Sequence, residues 1–231
     1  MRLLTLASVL SLIGVGLLTG IGPFPTGAPE TADERDAVSG AVASSAHGTP
    51  VPEDGMSGGT EHGAVVHVTE QRYPVSGTTE RDILHSMRTD GPNTGGSSFF
   101  GLTGSESSFQ IQPRMDGEHC VADDVRVELA VTITLPEWEP IGDAPYEVQR
   151  DWSRFSTALK RHEDGHRQIA ADGANATREA LQQLRRTTCG QVEADARQLA
   201  QRIADQTEAE HIRYDRETDH GRTQGAEWPL P

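Results

Sequence analysis

Hydrophobic and polar side chains alternate between Val121 and Leu135. Six apolar side chains share one face of this run: Val125, Val127, Leu129, Val131, Ile133 and Leu135. A period of two is typical of a β-strand with one buried face, so the run predicts the main strand, which Pro136 would end. β-Branched and aromatic residues predict another strand at 65–75, and helical spacing around Ile83 predicts a short helix after it.

A stretch rich in glycine and serine lies between these two predicted strands. Residues 97–102 and 107–112 have the composition of two short strands, and the sequence Thr103-Gly104-Ser105 between them is typical of a turn. We therefore expect a β-hairpin in this part of the chain.

Beyond Pro145 the apolar period changes to that of a helix. Seven side chains recur at steps of three or four and share one stripe of a helix from about Glu147 to Arg186: Trp152, Phe155, Leu159, His162, His166, Ile169 and Gly173. A second amphipathic helix is expected after Gly190. The whole pattern predicts an α+β fold, in which a small, mostly antiparallel sheet is followed by a long helix and a second amphipathic helix.

The N-terminal residues have the composition of an export signal. Arg2 supplies a positive charge and the run Leu3–Leu18 is almost wholly apolar, which is the order found in secretory signals. Small residues at Thr26–Ala28 fit a cleavage site, whereas the apolar run through Gly22 is also long enough to span a bilayer. We expect a secreted or extracytoplasmic membrane-anchored protein with three parts: a signal peptide or N-terminal membrane anchor (residues 1–28), a disordered linker (29–63) and a folded domain (64–231).

The acidic side chains outnumber the basic ones by 35 to 20, which gives a formal net charge of −15 with histidine neutral. A nucleic-acid-binding surface needs cationic side chains to neutralise phosphates, so we expect no nucleic acid among the partners. The sequence carries no indication of the oligomeric state.

The chain has two cysteines, Cys120 and Cys189. An exported protein is in a compartment where disulfides persist, so the two could close one bridge. Two free thiols are the alternative, because separation in sequence gives no geometry. Neither cysteine lies in a CxxC pair, so the cysteines do not indicate a zinc site.

The sequence His162-Glu163-Asp164-Gly165-His166 matches HExxH on the predicted long helix. Two histidines four residues apart lie on the same helix face, about 5–6 Å apart at Cβ, so both imidazoles can bind one ion. Zinc accepts imidazole nitrogens, and a catalytic zinc site leaves one position to water. Glu163, beside the first histidine, would take a proton from that water. The alternative without a metal is that one of these histidines packs in the core and the other lies on the surface.

A catalytic zinc site needs a third protein ligand. The metzincin extension of the motif is absent, because Ile169 stands where that motif has glycine and Asp172 stands where it has its last histidine. We expect the third ligand in the segment Tyr214–Gly221, directly after the second helix. His220 is the first choice and Asp215 the alternative, and His211 at the end of that helix is a rival.

The same C-terminal segment supplies two further expectations. Tyr214 could donate a hydrogen bond to a developing oxyanion. Asp215 could accept the free N–H of a ligating imidazole instead of binding the metal. The alternative is that the segment is a solvated tail, since terminal residues are often unordered.

Four stretches together resemble the bacterial secreted family catalogued as domain of unknown function 922: Tyr73–Thr78, Ile133–Trp138, the HEDGH helix with Trp152 and Phe155, and Tyr214–Gly221. The resemblance spans about Val65 to Pro229. It implies a zincin-like, zinc-dependent protease, because members of the family are predicted to be such proteases, largely from sequence. It also implies that Cys120 and Cys189 correspond to a cysteine pair of the family.

Two functional hypotheses follow. The first is an exported zinc metallopeptidase that hydrolyses a protein or peptide substrate. Zinc would be bound by His162, His166 and His220, and Glu163 would be the general base. The second is a non-catalytic, zinc-stabilised binding module, in which a fourth protein ligand closes the site. The glutamate beside the first histidine favours the enzyme, since a structural site does not need a base.

Overall fold

The computed structural model describes residues 4–16, 63–94, 97–139 and 141–230. In chain order the elements are β1 (Leu4–Gly16), β2 (Val65–Val75), α1 (Glu80–Asp90), β3 (Asn93–Thr94), β4 (Ser97–Asp116), β5 (His119–Trp138), α2 (Tyr146–Gln182), β6 (Arg185–Arg186) and α3 (Cys189–Thr218). Short 3-10 turns lie at Ile141–Asp143 and Arg222–Gln224. This mixed architecture confirms the predicted α+β fold class.

The sheet has the strand order β1-β4-β5-β2. β4 and β5 form a long antiparallel hairpin, β1 pairs antiparallel with the other edge of β4, and β2 runs parallel to β5. The two-residue strands β3 and β6 pair with β4 and β5, respectively. The sheet is therefore mostly antiparallel, with one parallel pair.

The predicted hairpin within 97–112 is wrong, because β4 is a single strand of 20 residues. The expected turn residues stay in the ladder, where Gly104 lies opposite Thr132. β5 is equally long and offers a partner along its whole length, so strand pairing outweighs the local turn preference. Pro136 also fails to end β5, which continues to Trp138 because β2 pairs with it there.

Little of the predicted N-terminal region is described by the structure. The backbone of Leu4–Gly16 pairs with β4, from Leu4 opposite Ile111 to Gly16 opposite Phe99. The rest of 1–28, and the linker up to residue 62, lie outside the described residues, so the signal or anchor and the linker stay predictions. Within the described ranges, no helix combines the length and the apolar character needed to cross a membrane.

The hydrophobic core lies between the sheet and α2. Five of the six β5 side chains predicted to share a buried face, from Val127 to Leu135, are at most 2% exposed. Phe155 and Leu159 of α2 are fully buried in the same core, and burial of each such side chain contributes about 1.5–3 kcal/mol. This packing fixes α2 on the sheet.

α2 and α3 approach each other closely at two glycines of α2. A Cβ atom at Gly165 would lie 2.2 Å from the Tyr214 hydroxyl oxygen, and one at Gly173 would lie 2.2 Å from Thr207 Oγ1. The missing side chains therefore let α3 lie against α2. The predicted separate segment beginning at Tyr214 is wrong, because α3 continues to Thr218.

A disulfide joins Cys120 of β5 to Cys189, the first residue of α3, which decides the sequence alternatives in favour of one bridge. This bond is consistent with an extracellular location. Thr188 caps the same helix end, since its side chain accepts from the backbone N–H of Gln191 and the Gln191 side chain accepts from the N–H of Thr188. The start of α3 is thus fixed both covalently and by hydrogen bonds.

Candidate metal centre

Two helices bring together three side chains that could hold a metal ion: His162 and His166 from α2, and Asp215 from α3. All three are buried. The two Nε2 atoms are 3.2 Å apart, and Asp215 Oδ1 lies 3.2 Å from His162 Nε2 and 3.0 Å from His166 Nε2. Ligand atoms about 2.0–2.1 Å from a tetrahedral zinc ion are about 3.3 Å apart, so this triangle of ligand atoms fits such an ion.

Gln224 orients the imidazole of His162. His162 Nδ1 lies 3.0 Å from Gln224 Oε1. In the tautomer with its proton on Nδ1, His162 donates a hydrogen bond to this oxygen and directs the lone pair of Nε2 at the triangle. Gly221 has a φ of 83°, and a Cβ atom there would lie 2.9 Å from His162 Cγ. A glycine is therefore needed where the chain passes this imidazole on its way to Gln224.

His211 contacts the second imidazole. Its Nδ1 lies 3.0 Å from His166 Nδ1, so this rival ligand supports His166 instead of joining the triangle. Burial lowers the pKa of His211 to about 4, and the neighbouring His166 adds to the effect. Burial also lowers the pKa of His166, although Asp215 opposes it. Both rings are neutral at pH 7, the form in which imidazole binds a metal.

Asp215 supplies the negative charge of the triangle. Burial raises the pKa of Asp215, but hydrogen bonds from His162 and His166 outweigh burial and bring the pKa down to about 2. Those hydrogen bonds require the histidine protons on Nε2. In the other tautomer, with both protons on Nδ1, the two Nε2 atoms and Asp215 Oδ1 direct lone pairs at one another. A cation between them removes this repulsion. Both the geometry and the chemistry of these atoms therefore suit a metal ion.

The carboxyl group of Glu163 lies against β4. Its Oε2 accepts a hydrogen bond of 2.7 Å from the Thr103 hydroxyl. A Cβ atom at Gly101 would lie 2.7 Å from Glu163 Oε1, so the glycine makes room for the carboxyl group. Glu163 is fully buried, and the sheet holds it beside the first histidine.

Tyr214 packs against both histidines. Its ring stacks on His162, with centroids 5.0 Å apart, and meets His166 edge-on at the same distance. Its hydroxyl accepts a hydrogen bond of 3.1 Å from the Gln224 amide and lies 3.4 Å from the backbone oxygen of His162. The oxyanion role predicted for Tyr214 would require the hydroxyl to leave these partners.

The structure brings Asp215, the alternative, together with the two histidines in a group that could hold a metal ion, and His220, the first choice, is not in that group. His220 Nδ1 lies 3.7 Å from Asp215 Oδ1 and is not among the atoms that converge within 4.8 Å. Asp215 is a helical residue on α3, whereas His220 follows the end of that helix. His220 therefore adjoins the triangle without belonging to it, and the segment is packed rather than a solvated tail.

The sequence does not single out four residues of the site. Gly101, Thr103 and Gln224 lie outside the HExxH motif, and Gly165 occupies one of its variable positions. Gly165 carries the one available signal, because glycine inside a helix is unfavourable by about 1 kcal/mol relative to alanine and often indicates a close approach. Thr103 and Gly101 contact Glu163 only because β4 is one continuous strand. The local turn preferences of the sequence predict a break there instead.

The family model described as "Bacterial protein of unknown function (DUF922)" matches residues 70–221. The chain belongs to this family. The DUF922 match includes the whole HEDGH sequence, Asp215 and His220, and it ends before Gln224. Searches of curated proteins and of solved structures found no match to the chain.

Proposed function

We propose that this member of the DUF922 family is an exported zinc-dependent metallopeptidase. The observation that carries the proposal is the triangle of ligand atoms from His162, His166 and Asp215, next to the buried Glu163. Imidazole and carboxylate ligands suit zinc, and three protein ligands leave a fourth position to water or substrate.

In this proposal Glu163 is the general base. Zinc bound by the triangle would polarise the peptide carbonyl and lower the pKa of water towards about 7. Glu163 takes a proton from that water on its carboxylate and passes it to the leaving amine. Thr103 and Gly101 hold the carboxyl group in one position, so little reorganisation accompanies the proton transfer.

The proposed substrate is a protein or peptide outside the cytoplasm. The apolar run Leu3–Leu18 and the disulfide between Cys120 and Cys189 support export. A formal net charge of −15 repels the phosphates of a nucleic acid, so a nucleic acid is not the proposed substrate.

A non-catalytic, zinc-stabilised binding module is the second candidate, and the burial of the site favours it. His162 and His166 are 0% exposed, and an ion between them and Asp215 would tie α2 to α3. A structural site of this kind has four protein ligands. The enzyme is preferred because three ligand atoms converge and the neighbouring Glu163 is not one of them.

Zinc content and proteolysis together separate the two candidates. We compare the wild-type protein with Glu163→Gln, using unfolded casein as the substrate. Both proteins should bind zinc, and Glu163→Gln should lose about 100-fold or more in cleavage rate. Glu179→Gln, the same change at an exposed position of α2, is the matched control and should cleave normally. Zinc binding without cleavage by the wild type would favour the binding module.

A further inference from the structure

His220 carries a buried ring nitrogen with no hydrogen-bond partner among the described residues. This atom, Nδ1, is shielded from solvent although 38% of the side chain is exposed. It lies 3.7 Å from Asp215 Oδ1, which is too far for a direct hydrogen bond. A buried polar atom without a partner costs about 1–3 kcal/mol, so this nitrogen marks a place where a polar group of a ligand would fit.

The backbone holds the His220 ring in place through an unfavourable conformation. Asp219 and His220 both have a φ of 50°, in the left-handed region that residues other than glycine rarely adopt. The His220 N–H donates to the Asp215 carbonyl at 2.8 Å, and the Gly221 N–H donates to Thr218 Oγ1 at 3.2 Å. Strained non-glycine residues of this kind concentrate at functional sites.

The distances favour a hydrogen-bond donor over a fourth metal ligand at this position. Ligand atoms of a tetrahedral zinc ion are about 3.3 Å apart, whereas His220 Nδ1 is 3.7 Å from Asp215 Oδ1 and is excluded from the converging set. A donor to an oxygen atom in the fourth position stands further from the ligands, at about 2.9 Å from that oxygen.

We propose that His220 Nδ1–H donates a hydrogen bond to the carbonyl oxygen of the peptide substrate, which makes His220 a catalytic residue; this inference rests on the proposed function. The carbonyl oxygen gains negative charge as water attacks, so the hydrogen bond is stronger in the transition state than in the bound substrate. The proton stays on His220 throughout. We therefore assign the hydrogen bond to the oxyanion to His220 and not to Tyr214, because the Tyr214 hydroxyl contacts Gln224.

Acetohydroxamic acid tests this donor without requiring turnover, because its oxygen atoms bind zinc in the position proposed for the substrate carbonyl. Calorimetry on the full-length chain measures the Kd for zinc and then the Kd of the zinc-loaded protein for acetohydroxamate. His220→Ala should leave zinc affinity within about twofold and weaken acetohydroxamate binding by about tenfold, the effect of one hydrogen bond to a charged group. His85→Ala, at an exposed position of α1, is the matched control and should change neither Kd.

A conservative variant distinguishes loss of the hydrogen bond from misfolding. His220→Asn places an amide nitrogen where Nδ1 lies and tolerates the left-handed backbone, so it should recover part of the acetohydroxamate affinity. Asp215→Ala removes a ligand and should weaken zinc binding by more than about 100-fold.

Each remaining outcome decides against the proposal. Loss of zinc in His220→Ala would make His220 a ligand, and unchanged acetohydroxamate binding would remove its role as donor; both overturn the inference while leaving the zinc site in place. A wild-type protein that binds no zinc would overturn the proposed function itself.

Discussion

The aromatic ring of Tyr214 lies flat on the imidazole of His162, with centroids 5.0 Å apart and ring planes inclined by 12°. The contact depends on the glycine within the HEDGH sequence. A Cβ atom at Gly165 would lie 2.2 Å from the Tyr214 hydroxyl oxygen and 2.5 Å from Cζ. Position 165 thus determines how closely α3, and with it Asp215, approaches the first histidine.

Replacing Gly165 with alanine should therefore weaken the metal site. The added methyl group overlaps the Tyr214 ring and moves α3 away from α2, so we expect about a tenfold or greater loss of zinc affinity. Overpacking should also lower the free energy of unfolding by about 1–3 kcal/mol. Competition with a chelating dye measures the affinity, and urea denaturation measures the stability.

Gly173→Ala is the matched control on the same helix. Its methyl group would overlap Thr207 Oγ1 at 2.2 Å, about 12 Å further along α2 than Gly165. We expect a similar loss of stability with unchanged zinc affinity, and Thr207→Ala in the same chain should restore the stability. An equal loss of zinc affinity in the two alanine variants would contradict a local role for Gly165.

Gln224→Leu should weaken zinc binding by about 10- to 100-fold, because His162 Nδ1 then loses the acceptor that orients it. Gln224→Glu retains an acceptor oxygen and should keep the affinity. Gln201→Leu, at an exposed position of α3, is the control. Zinc affinity that is the same in Gln224→Leu and Gln201→Leu would show that the contact does not orient the ligand.

The polarity of the end of α3 explains why the sequence does not identify Asp215 as the third member of the candidate metal site. The buried residues there are His211, Asp215 and Thr218, which follow helical spacing but are polar. Apolar periodicity ends the predicted helix near His211, and Tyr214 is then predicted to start a separate segment. The site is built where the hydrophobic pattern stops, so spacing within α2 alone cannot choose between Asp215 and His220.

The part of the site on α2 is predictable because it is local. The spacing of His162 and His166 places both rings on one face of any helix, and the alternation in β5 reflects its single buried face. The continuity of β4 depends instead on a distant partner strand, which keeps Gly104 in the ladder. The contacts of Thr103 and Gly101 with Glu163 follow from that continuity, so they are visible only in the folded chain.

The buried imidazole of His211 predicts that the metal-free protein loses stability in acid. Burial lowers its pKa from 6.5 to about 4, so between these pH values the unfolded chain binds a proton that the folded protein does not. The free energy of unfolding therefore falls as the pH decreases through this window, by at most about 3 kcal/mol. Asp215, with a pKa of about 2, is ionised in both states above about pH 5 and adds no slope there.

Urea denaturation of chelator-treated protein at several pH values measures this dependence. His211→Asn places an amide oxygen where Nδ1 lies, so it still accepts a hydrogen bond from His166 but does not titrate. Its stability should vary less with pH than that of the wild type. His85→Asn, at an exposed position, should keep the wild-type slope, and a wild-type slope in His211→Asn would refute the assignment.

Removing the disulfide should reduce stability without weakening the metal site. Cys120 and Cys189 are 69 residues apart in sequence, and opening a loop of that length costs about 4 kcal/mol by the chain-entropy relation. The bridge joins the first residue of α3, whereas Asp215 lies about 39 Å further along the helix at 1.5 Å per residue. The double variant Cys120→Ser/Cys189→Ser should therefore unfold at lower urea concentration, while its folded fraction binds zinc with wild-type affinity. A fall in zinc affinity under conditions where the variant is fully folded would instead show that the start of α3 positions the ligand at its other end.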